Sequence, residues 1–132
     1  MVNGEEAARI GPGLLVLLGA EKGDDEAAAV WLAEKILTLR IFADAAGKMN
    51  LSVQDIAGEI LVVSQFTLAG DCRRGRRPGF DRAAAPGDAA RLYRRFITAA
   101  ARTGLVVREG RFGEHMQVKI DNDGPVTFVL ER

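Results

Sequence analysis

The sequence predicts the α+β variety of the α/β class: two helices and a largely antiparallel sheet in a single domain over residues 1–132. Three observations carry that expectation. Short apolar runs of strand length recur along the chain, as in Leu14–Leu18 and Ile60–Val63. Two longer segments instead repeat apolar residues at three- and four-residue spacing, the mark of amphipathic helices. Several of the runs are joined by short connections, which suit antiparallel neighbours. A chain of 132 residues supports one core, and 48% hydrophobic with 27% charged residues describes a globular protein rather than a disordered one.

Taken in order, Asn3-Gly4 is a two-residue hairpin signal with only Met1 and Val2 before it. Either the turn reading fails, or the hairpin's first strand is absent from this sequence, or the terminus is a disordered polar tail. Ala8–Ile10 and Leu14–Leu18 read as strands separated by Gly11-Pro12-Gly13, the second buried on both faces. Asp24 or Asp25 can N-cap a helix that runs to about Arg40. Val30, Ala33, Ile36, Leu37 and Ile41 form its apolar stripe. Ala45–Lys48 reads as a turn and Ile60–Phe66 as a second buried strand. Thr67–Phe80, with Gly70, Gly75, Pro78 and Gly79, reads as a loop. Pro86 suits a first helical position and Gly104 a position past the helix end, with Leu92, Phe96, Ile97 and Ala100 as the buried stripe. Leu105–Arg108, Met116–Ile120 and Val126–Leu130 complete the expected strands.

Scarcity narrows the chemistry. Cys72 and His115 are the only residues of their types, so no intrachain disulfide and no zinc site of the common His/Cys kind can form within one chain. No metal or other cofactor is expected. Ser52 and Ser64 are the only serines, and a Ser-His-Asp triad would have to use His115. No apolar run reaches membrane-spanning length, and the N-terminus carries no secretory pattern, so the expected location is the cytoplasm.

The formal net charge is zero, which taken alone argues against a nucleic-acid partner. The distribution argues otherwise. Residues 71–95 hold eight Arg against three Asp, whereas residues 1–26 hold six acidic groups against two basic ones. Arg73, Arg74, Arg76 and Arg77 crowd one loop, where they can meet phosphates or simply face solvent. Arg91, Arg94 and Arg95 either extend that strip or keep their helix soluble.

Four further constellations can carry chemistry. Ser64-Gln65-Phe66-Thr67 closes a buried strand with hydroxyls, an amide and backbone N–H groups, which suit a carbonyl or oxyanion. Its alternative is a strand end whose polar groups satisfy loop backbone. Asn122-Asp123-Gly124-Pro125-Val126-Thr127 is a tight turn, either with an ordinary trans proline or with a cis Gly-Pro that aims backbone carbonyls at a ligand. In Arg111–Met116, Phe112 either stacks on a base or joins the core, and His115 is either a base or a surface residue. Cys72 lies among arginines, which favour the thiolate, or is incidental.

Ser64-Gln65-Phe66-Thr67-Leu68 and Asn122-Asp123-Gly124-Pro125-Val126-Thr127 resemble the two signature motifs of the D-aminoacyl-tRNA deacylase (D-tyrosyl-tRNA(Tyr) deacylase) family. Ile10–Gly19, Arg40-Ile41-Phe42, Gly47–Leu51, Gly75–Phe80 and Arg111–Met116 agree with it. The resemblance implies a homodimeric, antiparallel β-barrel-like fold with two helices. It implies hydrolysis of the ester of D-aminoacyl-tRNA, and of glycyl-tRNA, with L-aminoacyl-tRNA rejected. By the same resemblance Ser64, Gln65, Phe66 and Thr67 form the catalytic strand end. The N–H groups of Phe66 and Thr67 would bind the oxyanion, the terminal ribose 2′-OH would participate, and Thr67 would orient rather than attack. A cis Gly124-Pro125 of one subunit would enter the partner's site and exclude an L side chain. Phe112, Gly113, Met116 and Asn122 would contact the substrate. Phosphate contacts by Arg73, Arg74, Arg76 and Arg77 are inferred from charge. Family members usually begin with an additional strand bearing a Gln-Arg pair, and the match here starts after it. An N-terminally truncated, inactive tRNA-binding homologue is therefore the alternative, and a small-ester hydrolase using His115 a third.

Overall fold

In the computed structural model, which describes residues 1–132, the elements run β1 (Gly13–Leu18), α1 (Glu26–Thr38), β2 (Phe42–Ala43), β3 (Met49–Leu51), β4 (Glu59–Ser64), a 3-10 turn (Phe66–Ala69), α2 (Pro86–Ala101) and β5 (Val107–Glu109). The principal sheet has the order β1-β4-β5. β1 lies parallel to β4 from Gly13↔Glu59 to Leu18↔Ser64, and β4 lies parallel to β5 from Ile60↔Val107 to Val62↔Glu109. Only the short β2–β3 pair is antiparallel.

The expectation of a largely antiparallel, barrel-like sheet is thus corrected. The sheet is open, and its three strands are parallel. The physical reason is the connections: α1 lies between β1 and β4 and α2 between β4 and β5, and a helical crossover returns the chain in the same direction. Residues 8–10, 116–120 and 126–130 were expected as strands and form no ladder. Residues 45–48 make the expected turn, which joins β2 and β3, with Asp44 Oδ1 accepting from the N–H groups of Ala46 and Lys48.

The helices follow their end signals. Asp25 caps α1, its carboxylate accepting from Ala28 N at 2.8 Å. α1 stops at Thr38, two residues before the expected end, because Leu39 turns extended. Pro86 opens α2, and Gly104 beyond its end has φ +80°. The two helices bury their stripes against β4: Ala33 and Leu37 from α1, Ile60 and Val62 from β4, and Tyr93, Phe96, Ile97 and Ala100 from α2 form one cluster with Val53. Arg91 of α2 also reaches Glu26 of α1 at 3.2 Å. At the N-terminus, Asn3 (φ 50°) and Gly4 (φ 78°) form the expected turn, closed by a single reciprocal pair between Val2 and Glu5.

Candidate functional site

β1 and β4 end side by side at Leu18 and Ser64. In sheets with parallel strands, ligands bind in the crevice beyond the carboxyl ends. A cavity of about 1000 Å³ opens at this point. Ser64, Gln65 and Phe66 form one wall, Leu92, Tyr93 and Phe96 of α2 another, and Phe112, Gly113 and Met116 a third. A mainly apolar cleft with a few convergent polar groups is the usual form of a small-ligand site.

The polar groups come from the strand end. After Ser64 the chain enters the 3-10 turn, where Leu68 N donates to Gln65 O at 3.2 Å and Gly70 N to Thr67 O at 2.9 Å. Phe66 and Thr67 are its first two residues, so their N–H groups have no acceptor within the turn. The Gln65 side-chain amide donates to the Thr67 hydroxyl, which occupies that oxygen as an acceptor. Gly19 keeps this corner tight: a Cβ there would stand 2.9 Å from the Gln65 carbonyl oxygen.

Tyr93 is a cleft residue that the sequence reading passed over. Its hydroxyl donates to the Val62 carbonyl at 3.1 Å, and its ring lies 5.6 Å from that of Phe112. Burial, reinforced by the Glu109 carboxylate, pushes the hydroxyl up to about 12, so Tyr93 stays a neutral donor. A tyrosine inside an otherwise apolar helical stripe was the available signal, since a buried hydroxyl needs a partner. His115 lines the same cleft and is exposed.

The remaining predicted residues lie elsewhere. Thr67 adjoins the cleft without lining it, and Asn122, Gly124 and Pro125 lie outside it within the chain. The Gly124–Pro125 peptide is cis and Gly124 has φ +142°. Asn122 spans this turn: its Oδ1 accepts from Val126 N and its Nδ2 donates to Thr127 Oγ1, both at 3.2 Å. Arg73, Arg74, Arg76 and Arg77 sit on an exposed loop whose exit residue, Phe80, packs edge-on against Phe66 with ring centres 5.2 Å apart. Arg94 is committed to a two-bond fork with Glu109, both bonds at 2.8 Å. Cys72 is exposed, and no group of three or more His, Cys, Asp or Glu side chains gathers in a metal-binding arrangement.

Residues 1–131 match the family model described as D-Tyr-tRNA(Tyr) deacylase. A curated relative, the D-aminoacyl-tRNA deacylase of Pelobacter propionicus, is 58% identical over 132 residues, covering 100% of this chain and 91% of that one. Among solved structures, one titled c-Myc DNA Unwinding Element Binding Protein superposes with a TM-score of 0.93 at 41% identity, over 100% of this chain and 90% of that one. A second, titled as a probable eukaryotic D-amino acid tRNA deacylase, shares the fold at a TM-score of 0.72 and 20% identity, covering 87% and 83% of the two chains.

Proposed function

The chain belongs to the D-Tyr-tRNA(Tyr) deacylase family, and from that membership we propose that it hydrolyses the ester between a D-amino acid and the 3′-terminal adenosine of tRNA. The observation that supports this reading best is the cleft beyond the ends of β1 and β4, with Ser64, Gln65 and Phe66 facing Phe112, Gly113 and Met116.

An aminoacyl ester is already activated, so oriented donors and a positioned water suffice without a nucleophilic side chain. Water attacks the ester carbonyl, and the Phe66 and Thr67 N–H groups receive the negative charge on its oxygen. The carbon–oxygen bond to the ribose breaks, its oxygen takes a proton, and the adjacent 2′-OH assists. The Thr67 hydroxyl accepts from Gln65, and in keeping with the family resemblance Thr67 orients the strand end while water attacks. Phe112, Gly113 and Met116 enclose the terminal adenosine and aminoacyl group. The loop that carries Arg73, Arg74, Arg76 and Arg77 meets tRNA phosphates near the cleft mouth.

Selectivity comes from rejection. Gly124 and Pro125 of one protomer of a homodimer reach the cleft of its partner, where their carbonyls hold the α-amino group and leave no space for an L side chain. That these residues lie outside their own cleft supports donation across a two-fold axis. A glycyl ester has no side chain to reject and is also cleaved. The reaction belongs in the cytoplasm, where charged tRNA is used; no helix is long and apolar enough to cross a membrane. The test is hydrolysis of D-Tyr-tRNA, Gly-tRNA and L-Tyr-tRNA side by side. The first two are cleaved and the third survives, and equal cleavage of the two enantiomers would remove the selectivity claim.

A further inference from the structure

We propose that the arginine loop divides its four cations by role: the fork between Arg73 and Asp71 is a positioning device, and Arg74, Arg76 and Arg77 alone engage polynucleotide phosphates. The inference rests on the reading of tRNA as substrate and refines how it is held.

The loop is closed at its neck and anchored at its root. Asp71 N donates to Gly79 O at 2.7 Å and Gly79 N donates to Asp71 O at 2.8 Å, pinching off residues 72–78. Phe80, directly after the neck, packs on Phe66 of the strand end. Gly70, directly before it, approaches so closely that a Cβ would lie 2.9 Å from the Thr67 carbonyl oxygen and 3.1 Å from the Phe80 ring. Further on, Lys22 N donates to Arg82 O at 2.8 Å and Ala84 N to Ala20 O at 3.0 Å, fixing the exit to the segment after β1. The loop therefore projects from the catalytic corner on a fixed base.

Within it the charges are unequal. Asp71 Oδ1 accepts from both the backbone N–H of Arg73 at 3.0 Å and its Nε at 2.9 Å, and Oδ2 accepts from Nη2 at 2.8 Å. These contacts hold the Asp71 carboxyl well below the usual range, with the Arg73 side chain as the largest cause. The fork uses Nε and one Nη2 proton, so a phosphate reaches only the outer Nη protons of Arg73 and meets there a guanidinium whose charge the Asp71 carboxylate already offsets. Arg74, Arg76 and Arg77 form no ion pair with any carboxylate of the chain. Gly75, with φ +63°, turns the chain between Arg74 and Arg76. The fork thus fixes the first turn of the loop and leaves three cations facing solvent beyond it.

The test is binding of uncharged tRNA to the full chain across a KCl series, read as the slope of log affinity against log salt. Each phosphate contact contributes roughly 0.7–1 to that slope. R74A, R76A and R77A each lower the slope by about one. The double variant D71A/R73A removes a neutral pair: it keeps the wild-type slope and binds about three- to tenfold more weakly at every salt concentration, because the loop loses its order. R73K keeps the charge but cannot form the fork, and it weakens binding like the double variant. R73K behaving as wild type, or D71A/R73A losing a full unit of slope, would overturn the division of roles. Wild-type slopes for R74A, R76A and R77A together would take the loop off the phosphates altogether and refute the proposal, while leaving the hydrolysis assay to decide the tRNA reading separately.

Discussion

Asn122 offers the sharpest test of how the Gly124–Pro125 turn is held. Its side chain makes two bonds across the turn, accepting from Val126 N and donating to Thr127 Oγ1, each at 3.2 Å. Both are long and exposed, so each contributes toward the lower end of the net range for such bonds, about 0.5–1 kcal/mol. Asn122→Ala therefore withdraws roughly 1–2 kcal/mol from the ordered turn, with little effect on the distant core. Since about 1.4 kcal/mol is a factor of ten, the ratio of D- to L-Tyr-tRNA cleavage falls about tenfold. Asn122→Asp retains the acceptor for Val126 and accepts from the Thr127 hydroxyl instead of donating to it, so the ratio stays within about twofold of the wild type. The assay is the initial rate of deacylation of both enantiomers, with a thermal melt to show that the fold persists. An unchanged ratio in Asn122→Ala refutes the reasoning. So does an equal rise in KM for both enantiomers, which would make Asn122 a direct contact to a shared part of the substrate.

Three further outcomes are expected. Phe96, 1% exposed at the centre of the core, when replaced by Ala costs about 3–5 kcal/mol and lowers the melting temperature by roughly 10–20 °C, measured by calorimetry. Asp44, Asp55 and Asp71 are held below the usual carboxylate range, chiefly by the Lys48 N–H, the Ser52 N–H and the Arg73 side chain respectively. Depressed folded-state values stabilise the protein above the unfolded value near about 4 and lose that effect as pH falls through the folded ones. Urea denaturation should thus show stability declining below about pH 4, and Asp55→Asn should be less stable at neutral pH with a shallower acid decline. His115 is exposed and makes no hydrogen bond through its side chain, so His115→Ala retains deacylation within about threefold. A loss of 10²-fold or more would instead mark it as a general base.

Local chemistry made much of this fold legible. Asp25 and Pro86 mark the helix starts, and the apolar stripes mark the faces that meet at Ile60 and Val62. Strand direction is legible too, in the apolar runs rather than in the short connections. Near-continuous apolar runs separated by a helix, as in Leu14–Leu18 and Ile60–Val63, belong to parallel crossover units. The alternation in 116–120 and the apolar run Phe128–Leu130 are real, yet a strand needs a ladder partner that propensity cannot supply. Ile120 and Val129 remain 59% and 84% exposed there. For the site, the Ser64–Thr67 strand end could be read as a local cluster. Its convergence with Phe112 and Met116 was legible only through the family resemblance, because a tertiary crevice leaves no trace in spacing.

The parallel order β1-β4-β5 also bears on how the molecule assembles in time. Gly13 pairs with Glu59 and Ile60 with Val107, so each ladder joins segments separated by a whole helix. No local hairpin can nucleate this sheet, and the entropy of closing both long connections is met before either ladder rewards it. Folding should therefore be slow for a chain of this size. During synthesis, β4 stays a buried-type apolar segment without its second neighbour until Val107–Glu109 has emerged, and that interval is when aggregation threatens most.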